Sequence, residues 1–172
     1  VNTVAFNMDD VEEAKQLKMI LEDLIPLCVE TRTFTFPTSG STDELADWLI
    51  SNTISFESGS KEYQQVLEKM DDDPCKLAFT QTTSTEKKSS TEVFEFNLVD
   101  IDPRDVKYAI KGKELAVAVE ATGNKKNIKH YKDDKVDDYV GSFKIYMDDM
   151  EVARNMREAL EVLVKGCKEW VH

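Results

Sequence analysis

Three cysteines, two histidines and a series of paired carboxylates are the residues of this chain whose types could do chemistry. His130 lies in a Lys-His-Tyr run and His172 ends the sequence. His130 has no neighbouring cysteine or second histidine, so a structural or surface role is expected for it over metal ligation or general-base work. Acidic pairs recur at Asp9-Asp10, Asp71-Asp72-Asp73, Asp133-Asp134, Asp137-Asp138 and Asp148-Asp149. The stretch 133–138 could gather oxygen ligands for calcium, but it lacks the glycine and the closing bidentate glutamate of an EF-hand loop. A solvated acidic loop is the expectation. No Gly-x-Ser-x-Gly elbow, phosphate-cradling glycine loop or His-Glu-x-x-His pair occurs. The chain is read as non-enzymatic, with no cofactor and no metal.

The cysteines gain meaning from an internal repeat. Met8-Asp9-Asp10-Val11-Glu12-Glu13-Ala14 matches Met147-Asp148-Asp149-Met150-Glu151-Val152-Ala153, an offset of 139 from Met8 to Met147. The match runs without a gap through Leu21/Leu160, Leu24/Leu163, Cys28/Cys167 and Glu30/Glu169. So long a period is domain-sized. Residues 1–30 therefore read as the closing strand and helix of a truncated first copy. Residues 31–73 read as a leader with a short helix, and residues 74–172 as a complete copy. If each copy holds two cysteines, Cys75 pairs with Cys167 and Cys28 has lost its partner. Three buried thiols, or a Cys75–Cys28 bond, are the alternatives.

Composition limits the partners. Thirty-four acidic against 22 basic residues give a net charge of −12, which repels phosphate backbones and anionic headgroups, so nucleic-acid binding is not expected. The apolar runs are short, and no membrane insertion is expected.

Periodicity then places the elements. A short helix begins at Ser41/Thr42, with Leu45, Trp48 and Leu49 inward. Tyr63 to Met70 fits helix or strand, and the turn residues Asp71-Asp72-Asp73-Pro74 favour strand. Leu77 and Phe79 alternate. Phe94, Phe96 and Leu98 share a face, as do Val106, Tyr108 and Ile110, and then Leu115, Val117 and Val119. Turns fall near Lys87-Lys88, Lys111-Gly112-Lys113 and Gly123-Asn124, and the last strand spans residues 142–147. An Asp148-x-x-Glu151 box opens an amphipathic helix that Gly166 is expected to fray before Cys167. The fold class is α+β, an antiparallel β-meander or partly open barrel of about six or seven strands capped by the C-terminal helix.

Strands closed by one amphipathic helix resemble the pleckstrin-homology-like barrel. Asp73-Pro74-Cys75-Lys76-Leu77, Phe96-Asn97-Leu98-Val99-Asp100-Ile101-Asp102-Pro103, Lys129-His130-Tyr131-Lys132-Asp133 and Asp149-Met150-Glu151-Val152-Ala153-Arg154 look like repeat domains of unknown function in bacterial envelope and secreted proteins. The resemblance implies a fold and no reaction. It also implies an extracytoplasmic home, where a disulfide is expected.

The expected function is a non-catalytic interaction module, one of tandem domains, with a protein or peptide docked along a sheet edge or between the last strand and the helix. A carrier of a small apolar or amphiphilic ligand is the alternative, its cavity lined by Phe94, Phe96, Val117 and Phe143. The apolar stripe of residues 1–30 (Val11, Ala14, Leu17, Leu21, Leu24) must be covered, by the leader or by exchange with a second chain in a dimer.

Overall fold

The computed structural model describes residues 40–111, 114–133 and 135–169. The readings on residues 1–30, on Cys28, on the Lys111-Gly112-Lys113 turn and on His172 lie outside these.

Helix α1 spans Thr42–Asn52 and is opened by a complete capping box. Ser41 Oγ accepts from the Glu44 N–H at 3.2 Å, and Glu44 Oε2 accepts from the Ser41 N–H at 2.8 Å. Two of the first-turn donors that a helix leaves open are thereby satisfied. Strands β1 (Phe56–Ser58), β2 (Lys61–Met70), β3 (Asp73–Ser84) and β4 (Ser89–Asn97) follow as antiparallel neighbours. Residues 61–70 are thus strand, as the turn residues indicated. Asp71 and Asp72 both sit at φ 55°, the left-handed pair that a two-residue hairpin loop requires.

After 3-10 turns at Leu98–Asp100 and Pro103–Asp105 come β5 (Lys107–Lys111), β6 (Glu114–Glu120), β7 (Ile128–Lys132), β8 (Lys135–Val140) and β9 (Ser142–Met147). Helix α2, Met150–Glu169, closes the described chain. The strands form two antiparallel sheets, one ordered β1-β2-β3-β4-β7-β8 and one ordered β5-β6-β9. The fold is α+β, and its barrel is not closed.

Four expectations need correction. The acidic loop contains strand β8, hidden in the sequence because a bulge at His130/Tyr131 shifts the register and Asp137 and Asp138 dilute the alternation. Val106 is buried, but Tyr108 and Ile110 are 40% and 64% exposed, because β5 begins only at Lys107. The α2 cap is Asp149, not Asp148: its Oδ1 accepts from the N–H groups of Glu151 (2.7 Å) and Val152 (3.1 Å), while Glu151 turns to Arg154. Helix α2 also continues through Gly166, so Cys167 lies within it and is fully buried. A Cβ on Gly166 would meet the Thr42 methyl at 3.0 Å; the bare glycine lets the start of α1 approach.

One core joins these elements. Leu45, Ala46 and Leu49 of α1 and Leu67 of β2 are buried with Leu77, Phe79, Phe94, Val117, Ile145 and the inner face of α2. Residues on both sides of the boundary drawn at 73/74 therefore share one sheet and one core. Lys69 adds a clamp from β2 to α1, reaching Asp43 at 3.0 Å and Asp47 at 2.7 Å.

Candidate functional site

The two sheets meet along a seam where one polar side chain does the work of a strand. Gln65 on β2 is 3% exposed. Its Nε2 donates to the carbonyls of Tyr146 (2.8 Å) and Ile54 (2.9 Å), and its Oε1 accepts from the Tyr146 N–H at 2.8 Å. Strand β9 is the edge of its sheet, so the backbone groups of Tyr146 would otherwise be buried unpaired. Beside Gln65, Tyr63 stacks between Phe56 (5.1 Å) and Tyr146 (4.7 Å). The Tyr63 hydroxyl donates to Glu114 Oε1 at 3.1 Å, which also accepts from Lys61 Nζ at 2.6 Å. Burial first, and then this carboxylate, push the Tyr63 phenol above its usual range. The hydrogen bond to Glu114 likewise raises the Lys61 ammonium.

Phe94, Phe96, Val117 and Phe143 are brought together, and what they meet is one another. Phe143 lies 5.2 Å from Phe94 and 4.7 Å from Phe96, and Phe79 joins the stack at 5.5 Å. All four are 8% exposed or less. They belong to the packed core, which is what aromatic rings at these separations stabilise. The space between β9 and α2 is filled in the same way, by Phe143, Ile145, Val152, Met156 and Leu160. A cleft of about 300 Å³ does open at the hairpin ends, between Gly59, Ser60, Glu62, Ser84 and Glu86, and its lining is polar.

Cys75 and Cys167 form a disulfide, their Cα atoms 5.7 Å apart and 92 residues apart in sequence. The bond ties the start of β3 to the last turn of α2. Such bonds persist where thiols are kept oxidised, which indicates a non-reducing, extracytoplasmic setting.

The remaining candidates have structural surroundings. His130 is buried on β7, stacked on Phe94 at 4.8 Å with its Nε2 3.4 Å from Glu92. Asp133 Oδ1 accepts from the Thr91 N–H at 3.0 Å, and Asp138 pairs with Lys126 at 3.1 Å. Among the described residues, no group of three or more His, Cys, Asp or Glu is placed to hold a metal ion, and no helix is long and apolar enough to cross a membrane. Lys87 and Lys88 are exposed at the β3–β4 turn, and Trp48 is half-buried against the core.

What sequence reasoning missed is on the outer face of the larger sheet. Val66, Thr80, Val93, Tyr131 and Val136 are register partners in turn across β2, β3, β4, β7 and β8. Val66 is 55% and Val136 61% exposed, and Tyr139 beside them is 49% exposed. Lys129 lies over the Tyr131 ring, 4.6 Å from its centre, and faces Tyr139 across the strand pair. The row ends at β8, the edge of the sheet. The signal lay in apolar residues out of phase with the core set, Val66 between Gln65 and Leu67 and Tyr131 after His130. Comparison with family models, with curated proteins and with solved structures finds no match to this chain.

Proposed function

We propose that this domain is a non-catalytic protein-interaction module of the pleckstrin-homology-like kind, one of tandem copies in an extracytoplasmic bacterial protein. Its partner is a polypeptide that pairs one extended segment with the β8 edge and covers the Val66–Val136 row with the chain adjoining that segment. The observation that carries this reading is that row, aligned across five strands and ending at β8, which has no second strand neighbour among the described residues. An exposed edge offers backbone donors and acceptors, and an adjoining apolar face supplies the side-chain contacts. Tyr131 and Tyr139 give large contact area at low entropic cost, and tyrosine is enriched at protein interfaces. The pleckstrin-like assignment draws support from the antiparallel sheets closed by one C-terminal helix, and the extracytoplasmic one from the disulfide.

The test is a photo-crosslinking amino acid placed at Val136 or Tyr139 and, as a control, at Ile110 on the smaller sheet. The reading predicts polypeptide adducts at the first two positions that vanish when Val66→Glu and Tyr131→Glu are added and the fold is retained. Adducts of equal yield at Ile110, or none at the outer row, would overturn it.

A further inference from the structure

We infer that Asp137, the extra residue of strand β8, sets the specificity of the proposed binding edge. The bulge it makes keeps β8 from pairing with β8 of a second copy, and leaves the edge to a polypeptide that also covers the outer row. The inference rests on the proposed role of that edge. Five residues of β7, Ile128–Lys132, face six of β8, Lys135–Val140. The register runs Ile128↔Val140, Lys129↔Tyr139 and His130↔Asp138, then resumes at Tyr131↔Val136 and Lys132↔Lys135. Residue 137 is passed over, the two-against-one count of a β-bulge. Both ends of the hairpin are pinned, so slippage cannot absorb the surplus. Val140 packs on the core opposite Ile128, which is fully buried. At the other end Asp133 donates its N–H to the Thr91 carbonyl at 2.9 Å and accepts the Thr91 N–H on Oδ1 at 3.0 Å, which holds the turn on β4.

The bulge has two consequences. Val136 and Tyr139 are three positions apart, a spacing that puts side chains on opposite faces of a regular strand. Here they oppose Tyr131 and Lys129, which are two apart on β7, so both stand on the outer face. The second consequence concerns the free side of β8. Its ladder spacing is broken at residue 137, so an incoming regular strand matches it at Lys135–Val136 or at Asp138–Val140, not along both. Two or three residue pairs make a weak ladder. A binding polypeptide must therefore add contacts on the outer row, whereas a second β8 brings only its own interrupted edge. Without the extra residue the strand is self-complementary. Lys135-Val136-Asp138-Tyr139-Val140 then matches β7 one for one. Two copies related by a two-fold axis through Val136 would set Lys135 against Asp138 on one face and Val136 against its own copy on the other. That is the edge-to-edge association a bulge prevents.

The experiment puts a photo-crosslinking amino acid at Tyr139 of the purified chain, with no other polypeptide present, and maps chain-to-chain adducts by mass spectrometry. It compares the native strand, a deletion of Asp137, and the Asp137→Thr, Asp138→Thr pair, which keeps six residues against five but removes both charges. The deletion should give β8-to-β8 adducts about tenfold above the native strand, the effect of two or three cross-strand pairs, rising with concentration. The threonine pair should stay at the native yield. No such adduct from a folded deletion variant would overturn the inference, as would β8-to-β8 adducts in the native strand. Equal yields from the threonine pair and the deletion would show that charge, not the bulge, guards the edge, and would also overturn it. Should the deletion fail to fold, the threonine pair decides: a β8-to-β8 adduct overturns the inference and its absence supports it. These readouts use one polypeptide alone, so failure to capture an outside polypeptide at Val136 leaves them unchanged, and the two readings fail separately.

Discussion

Gln65 is the residue on which the join between the sheets depends. Replacing it with Leu keeps the volume and strands the Tyr146 N–H and C=O in a dry seam. Each buried backbone group left unpaired costs about 1–3 kcal/mol, so Gln65→Leu should lose about 2–4 kcal/mol in urea unfolding. Val66→Ala, one residue along and facing solvent, should lose well under half of that. A loss for Gln65→Leu no larger than for Val66→Ala would mean the seam is held by the flanking aromatics alone. The neighbouring triad sets a pH dependence. Tyr63 and Lys61 both titrate above their ordinary values of 10.0 and 10.5. A folded-state pKa that is raised gives stability that is complete below the unfolded value and is lost as pH rises through the folded one. The urea midpoint should therefore hold up to about pH 10 and fall as the pH rises beyond that, and Tyr63→Phe should flatten that fall.

At the scale of elements, the sequence was clearest where one face alone is buried. Helix α1 was readable from its start at Ser41/Thr42 and the spacing of Leu45, Trp48 and Leu49, and α2 from its stripe. Strand β2 was ambiguous because Tyr63, Val66, Leu67 and Met70 satisfy a helical spacing as well as Tyr63 and Leu67 satisfy a strand. Only pairing with β3 decides between them. Strand β8 was illegible because its bulge breaks the period of two. The members of the outer row were visible only as apolar residues out of phase with the core set; their alignment across five strands depends on long-range register. The disulfide was legible through the repeat, whereas the burial of Phe94, Phe96, Val117 and Phe143 in the packed core depends on how the two sheets meet. The β2–β3 turn yields a prediction of its own. Asp71 and Asp72 hold φ 55° at a cost that Asn-Gly avoids. Asp71→Asn with Asp72→Gly should raise stability by about 1 kcal/mol in thermal or urea unfolding. A decrease would show that the aspartates make the turn in another way.

Over the whole molecule, the disulfide is the longest constraint. It joins residues 92 apart, and removing the cross-link frees the unfolded chain to explore far more conformations. The Cys75→Ala, Cys167→Ala pair should lose about 3–5 kcal/mol, and reductant should lower the unfolding midpoint of the native chain but not of the double variant. An unchanged double variant would place the bond outside the folding energetics. The wider claim is that one sheet face and its β8 edge receive a polypeptide, while the β9–α2 side is sealed by core. Amide hydrogen exchange, measured on the disulfide-intact chain alone and with the polypeptide recovered from crosslinks at Val136, tests this most directly. The account predicts slowed exchange confined to residues 135–140 and their β7 neighbours. Protection centred on β5, β6 or β9, with β8 exchanging as in the free chain, would contradict it.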